Sequence, residues 1–133
     1  MNYLLDTNIC IHIIKKKPLA VFQIFESMLP FSNGISSITI AELEYEVRKS
    51  NFIEQNKAPL QQFLTPFSIF SFYTRANSFN GIVSTELEKN GSPTGSLDIL
   101  IAADALSLNC TLASNNTKEF KRVPYLLAEN CIK

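Results

Sequence analysis

Apolar positions along this chain switch repeatedly between runs and helical spacing. Tyr3 to Leu5 reads as a short buried strand, and Asp6-Thr7-Asn8 cuts it off before apolar residues resume at Ile9, Ile11, Ile13 and Ile14 as a first helix. Beyond Lys15-Lys16-Lys17, the residues Leu19, Phe22, Phe25 and Leu29 recur at helical spacing. With Pro18 in the first turn, they predict a second helix that Pro30 ends. Gly34 to Ser37 is expected to be a second strand, followed by a helix from about Thr39 to Lys49 with Ile40, Leu43 and Val47 as its core stripe. A helix from about Asn51 to Leu64 carries Phe52, Leu60 and Phe63, and Pro59 inside it is expected to kink or divide it. Phe67 to Phe72 is apolar enough on both faces to predict a buried third strand.

Ala76, Phe79, Ile82, Val83 and Leu87 mark a helix from Thr74 to Lys89, stopped where Gly91 can take a left-handed conformation. After Pro93 and Gly95, Ser96 is expected to cap a helix that runs to about Leu108 and includes Leu97, Leu100 and Ile101. Thr111 to Ser114 follows as a fourth strand, then a short turn around Glu119-Phe120, and Tyr125 to Leu127 as a fifth, edge strand. This order predicts an α/β fold, a three-layer α/β/α sandwich with a mainly parallel sheet of four to five strands.

With 133 residues and 46% hydrophobic content, a single domain over 1–133 is expected, burying about two-thirds of the unfolded surface. Apolar runs stay far below the roughly 18 residues of a membrane span, and no leader pattern opens the chain, so a cytoplasmic protein without membrane attachment is expected. Cys10, Cys110 and Cys131 are odd in number and lack C-x-x-C spacing, which speaks against a disulfide framework and a zinc site. Twelve basic and twelve acidic residues cancel, so contact with a polyanion must rely on local clusters.

Three carboxylates stand out by position. Asp6 closes the first strand, and in open α/β sheets ligands gather beyond the carboxyl ends of strands, although an Asp there also serves as a plain helix cap. Glu42 lies in the first turns of the helix after the second strand, near hydroxyl-rich Ser36-Ser37-Ile38-Thr39. Asp98 lies in the first turn of the helix after Ser96, where a carboxylate also complements the helix dipole. If these three converge at about 5 Å, each pair repels by roughly 3 kcal/mol at an effective dielectric near 20. The sum rivals the stability of a domain. A hard divalent cation with oxygen ligands, Mg²⁺ or Mn²⁺, relieves that repulsion and leaves positions for phosphate oxygens. One histidine, His12, supplies neither a zinc site nor a catalytic triad, and no P-loop or serine-elbow pattern is present. The pattern suits metal-assisted phosphodiester hydrolysis.

The blocks L-D-T-N-I-C-I, S-S-I-T-I-A-E-L, G-S-P-T-G-S-L-D-I-L-I-A-A-D-A-L and S-N-N-T-K-E-F-K-R-V-P, in this order over nearly the whole chain, resemble the PIN-domain ribonuclease toxins of VapBC toxin–antitoxin modules. The resemblance implies a Mg²⁺- or Mn²⁺-dependent endoribonuclease with Asp6, Glu42 and Asp98 as metal ligands. It implies Glu119 as a further acidic position, and Asn116 as a neighbour that is Asp in some relatives. Thr7, Asn8 and Ser37 fall at polar positions that orient ligands or water. Implied partners are an RNA substrate, a cognate VapB-like antitoxin that covers the site and itself binds operator DNA, and a second copy in a homodimer.

Departures from that pattern are specific. Glu46 stands where glycine is more usual, and is expected to crowd its helix or add charge beside Glu42. The family's A-A-H-A is Ala102-Ala103-Asp104-Ala105 here; Asp104 lies about 120° around the helix from Asp98 and is expected to be exposed or in a salt bridge. A tryptophan common near the end is absent around Glu129-Asn130-Cys131. Lys118, Lys121 and Arg122, and less so Lys15 to Lys17 and Arg48-Lys49, are candidates to hold an RNA backbone. Glu44 and Arg48 have the spacing of a surface ion pair. A receiver-like domain would want paired acids after the first strand, which Asp6-Thr7-Asn8 does not offer. The alternative of a non-catalytic RNA-binding or interaction module would be expected to have lost one of the three carboxylates.

Overall fold

The computed structural model describes residues 3–15, 23, 33–65, 67–71, 74–91 and 94–130. The expected helix over Leu19 to Leu29, Lys16, Lys17 and Cys131 lie outside the described residues. In chain order the strands are β1 (Tyr3–Leu5), β2 (Asn33–Ser36), β3 (Ser68–Phe70), β4 (Thr111–Ala113) and β5 (Ala128–Glu129). The helices are α1 (Thr7–Lys15), α2 (Ser37–Lys49), α3 (Ile53–Leu64), α4 (Thr74–Lys89), α5 (Ser96–Leu108) and α6 (Thr117–Phe120).

All five strands are parallel, in the order β3-β2-β1-β4-β5. The chain builds outward from β1 through β2 to β3, then returns to lay β4 and β5 on the other side of β1. Order therefore reverses between β1 and β4, and a crevice opens beyond their carboxyl ends at such a switch point. In register, Leu4 pairs with Gly34 and Leu112, and Leu5 with Ala113. Because strand side chains alternate, Leu4 and Leu112 face one layer while Leu5, Ile35 and Ala113 face the other. Leu5, Ile35 and Ala113 pack with Ile9, Ile13, Leu43 and Leu60 from α1, α2 and α3. Leu4 and Leu112 pack with Val83, Leu87, Ile101, Ala105 and Phe120 from α4, α5 and α6. The three-layer α/β/α sandwich expected from the sequence is what these two cores enclose.

Several local expectations are corrected. β2 ends at Ser36, whose hydroxyl accepts the Ile38 N–H at 3.1 Å and caps α2; Ser37 is the first helical residue. Pro59 does not divide α3. Gln55 and Pro59 both lie on the exposed face, where a carbonyl deprived of its donor is tolerated, while buried Leu60 and half-buried Ile53, Phe63 and Leu64 anchor the helix on both sides of the ring. Phe52 precedes α3 and is exposed. β3 is an edge strand, and Ile69 is 53% exposed instead of buried. Ile82 and Leu97 likewise face outward. The N-cap of α5 is Gly95, one residue earlier than the expected Ser96. The fifth strand lies three residues later than expected, because Tyr125 takes φ +66° and is 92% exposed, which breaks an extended run there. Gly91 does take φ +63°, as its place after α4 requires.

Cys10 and Cys110 are buried free thiols. Among the described residues no helix is long and apolar enough to cross a membrane.

The two-core arrangement predicts opposite outcomes for two isoleucine-sized positions. Leu4→Ala should lower the urea-unfolding free energy by about 3 kcal/mol, since the sheet's centre cannot collapse into the cavity, whereas Ile69→Lys should change it by less than about 0.5 kcal/mol. A large loss at Ile69 would contradict its edge placement.

Candidate functional site

Asp6 leaves β1 and donates its backbone N–H to the Ala113 carbonyl at 3.0 Å, extending the β1–β4 pairing by one residue. Its side chain is 4% exposed. Oδ1 accepts the Ile9 N–H at 2.9 Å, which caps α1, and Oδ2 accepts the Ser114 hydroxyl, which arrives from the end of β4. Asp6 is thus a helix cap and a crevice residue at once. The Ser114 hydroxyl also accepts the Asn116 N–H at 2.9 Å, so the switch point is stitched across its two central strands. Burial raises the Asp6 carboxyl above its ordinary range; the Ser114 and Ile9 bonds pull it down, the Glu42 charge pushes it up, and His12 lowers it.

Glu42 reaches the same region from α2. Its Oε1 accepts the Thr7 hydroxyl at 2.8 Å, a bond between the first turn of α1 and the second layer helix. Asn116 precedes α6 and donates from Nδ2 to Glu119 Oε2 at 2.7 Å. Asp98, in the first turn of α5, is half-buried and pushed up to about 6, first by burial and then by the negative charges of Glu119, Glu42 and Asp6. Asp98 is thus within electrostatic reach of the other three acids. Four segments of the chain, after β1, in α2, at the start of α5 and in α6, therefore bring their acids to one end of the sheet.

The expected polar residues divide. Thr7 and Asn116 each hold a carboxylate, whereas Asn8 is exposed on α1 and the hydroxyl bonded at the start of α2 belongs to Ser36 instead of Ser37. Glu46 pairs with Lys49 at 3.1 Å in a solvent-exposed ion pair on α2. The Glu44–Arg48 pair is not among the ion pairs of the described residues. Asp104 is neither exposed nor ion-paired among the described residues; it is 1% exposed, because α5 lies against the sheet on one side and against α4 on the other. Lys118, Lys121 and Arg122 are exposed on and just after α6, beside Glu119. Lys15 lines a separate groove between α1, α2 and α3. Cys10, beneath Asp6, is pushed well above the ordinary thiol range by burial and by the Asp6 and Glu42 charges, and so stays a packed thiol.

Ser114, Ser36 and Asp104 were not singled out as site-supporting residues from the sequence. For the two serines the signal was present: a hydroxyl at the carboxyl end of a strand that borders a carboxylate-bearing crevice.

Comparison with known proteins bears on this geometry. A family model described as PIN domain matches residues 3–126. The chain is 44% identical to the protein named Ribonuclease VapC2 of Rickettsia felis, over 98% of each chain. It is 36% identical to the tRNA(fMet)-specific endonuclease VapC of Shigella flexneri, again over 98% of each. The crystal structure of DNA-bound VapBC from Salmonella typhimurium contains a chain with a TM-score of 0.92 at 34% identity, covering 98% of both.

The raised Asp98 carboxyl predicts a pH signature without metal. Between its ordinary 3.8 and about 6, the folded protein holds a proton that the unfolded chain releases. That stabilisation is complete below about pH 4 and is lost as pH rises through 6. In EDTA, the urea stability of wild type relative to Asp98→Asn should fall by ~1 kcal/mol from pH 4 to pH 7.5, after discounting for solvent around a half-buried group. A pH-independent difference would contradict the shared site.

Proposed function

The chain belongs to the PIN-domain family, among its VapC ribonucleases, and on that premise we propose that it is a divalent-metal-dependent endoribonuclease, the toxin of a VapBC-type pair. The observation that carries the reading is Asp98, whose carboxyl is raised first by burial and then by the charges of Glu119, Glu42 and Asp6 from three other segments. Such a cluster is unfavourable unless a cation completes it.

The donor set fits a hard ion, since every candidate ligand is a carboxylate oxygen. Among the described residues the acids do not close into a ready-made metal cage. Asp6, Glu42 and Asp98 would hold Mg²⁺ or Mn²⁺, with Glu119 at the margin. When bound, such an ion would neutralise the cluster, offer positions to phosphate oxygens and lower the pKa of a water so that hydroxide is available as nucleophile near neutral pH. The chain's own residues do the positioning. Ser114 and the Ile9 N–H favour the charged form of Asp6 and fix its direction. Thr7 occupies one oxygen of Glu42, and Asn116 one oxygen of Glu119. Lys118, Lys121 and Arg122 would grip the RNA backbone without reading its sequence. Hydrolysis in this manner leaves 5′-phosphate and 3′-hydroxyl ends.

Similarity to VapBC complexes bound to DNA supports a VapB-like antitoxin as partner and operator DNA reached through that antitoxin; a homodimer is part of the same proposal. Growth inhibition through RNA cleavage follows if the antitoxin is absent.

Cleavage of total RNA by the purified chain should require Mg²⁺ or Mn²⁺, stop in EDTA, and fall at least about a hundredfold in Asp98→Asn. Equal cleavage by wild type and Asp98→Asn, or full activity in EDTA, would overturn the proposal.

A further inference from the structure

We propose that Tyr45 is the stacking platform for a base of the RNA strand beside the scissile phosphate, with Lys49 beyond it as a contact to the backbone. The role rests on the ribonuclease reading above.

α2 starts at the carboxyl end of β2 and buries one face, through Thr39, Leu43 and Val47. At about 100° per residue, Glu42 stands roughly 100° around the axis from Leu43 and so lies off that face. Tyr45 lies about 60° from Glu42 and Lys49 about 20°, at successive turns, so the three form one stripe. Arg48, about 120° from Glu42, is not on it. Residues three apart on a helix have Cβ atoms about 5–6 Å from each other, and helical side chains lean over the turn that precedes them. The Tyr45 ring therefore leans toward Glu42, and Lys49 toward Tyr45. Lys49 Nζ stands 5.2 Å from the centroid of the Tyr45 ring. From the sheet's end outward, the stripe presents a carboxylate of the acid cluster, an aromatic ring and an ammonium.

Tyr45 is 62% exposed. A lone exposed ring is ordinary, so its neighbours decide what it does. Among the described residues the other exposed aromatics are Phe52 and Tyr125. Phe52 precedes α3, past the far end of α2. Tyr125 lines a hollow with Tyr3 and Thr111, which open β1 and β4, so it sits at the end of the sheet opposite the acids. Tyr45 alone of the three shares a helix stripe with a site carboxylate.

Single-stranded nucleic acid is held by rings on which bases stack and by cations that track the backbone. Tyr45 and Lys49 supply one of each. The ammonium attracts the ring and steadies it, and its ion pair with Glu46, open to solvent at 3.1 Å, is readily exchanged for a phosphate. Stacking uses the π-face that every base has, so Tyr45 fixes the position of the strand without reading its sequence.

The test reads fluorescence anisotropy with two single-stranded RNAs of equal length, an oligoadenylate and an abasic ribose-phosphate strand. It uses the full chain in Mn²⁺ with Asp98→Asn as the parent, so that binding is measured without cleavage. Tyr45→Ala should raise the oligoadenylate Kd about tenfold, the loss of one base stack, and leave the abasic Kd unchanged. Tyr45→Phe keeps the ring and should bind like the parent. Lys49→Ala should weaken both strands alike and lower the slope of log Kd against log salt by about 0.7. Equal losses on the two strands in Tyr45→Ala, or no loss on either, overturn the stacking role while leaving the site reading intact. So does a changed molar mass of Tyr45→Ala in light scattering, which would assign this face to contact between copies. A parent that binds neither strand also overturns the stacking role, and the site reading falls with it only if wild type fails to cleave RNA in Mn²⁺.

Discussion

Mutual repulsion among carboxylates at the carboxyl end of a parallel sheet is the constraint around which this molecule is arranged. The acids are supported unequally. Asp6 accepts from a serine hydroxyl and a backbone N–H, Glu42 from Thr7, and Glu119 from Asn116. Among the described residues no donor reaches Asp98, whose carboxyl is pushed up to about 6, first by burial and then by the charges of Glu119, Glu42 and Asp6. Hydrogen-bond donors thus hold three acids in place. The fourth remains a point where charge is added or relieved, which is what a site that gains and loses a cation requires.

The fold supplies the frame on which that tension is held. Reversal of strand order between β1 and β4 opens the crevice, and the Asp6–Ser114 bond crosses it. Two apolar cores, one on each face of the sheet, fix α1 and α2 on one side and α5 on the other. The acids therefore come from both layers and meet only over the sheet's end. Thr7 ties α1 to α2 within one layer, and Ser114 ties the end of β4 to Asp6.

Much of this was legible in the chain. Runs such as Tyr3 to Leu5 and the stripe of α4 revealed themselves by period, and each candidate acid sat where a strand ends or a helix begins. What failed did so for tertiary reasons. Ile69 reads as core by composition but lies in an edge strand, and edge status is decided by topology. The fifth strand was displaced because Tyr125 adopts a left-handed backbone that nothing in its side chain announces. Asp104 looked like surface because lone carboxylates usually are; its burial follows from α5 being covered on every side, a property of packing alone. Ser114 carried a faint signal, a hydroxyl at the end of a strand, but its partner Asp6 lies 108 residues away in the chain and is fixed by the fold alone.

The central claim, that these acids share one electrostatic space, is tested most directly by a double-mutant cycle in EDTA at pH 7.5. Urea unfolding would be measured for wild type, Asp98→Asn, Glu119→Gln and the double variant. The account predicts that each single change stabilises the metal-free protein and that the double gains less than the sum, because the first neutralisation has already relieved their common repulsion. Strictly additive effects, or single variants less stable than wild type, would contradict it.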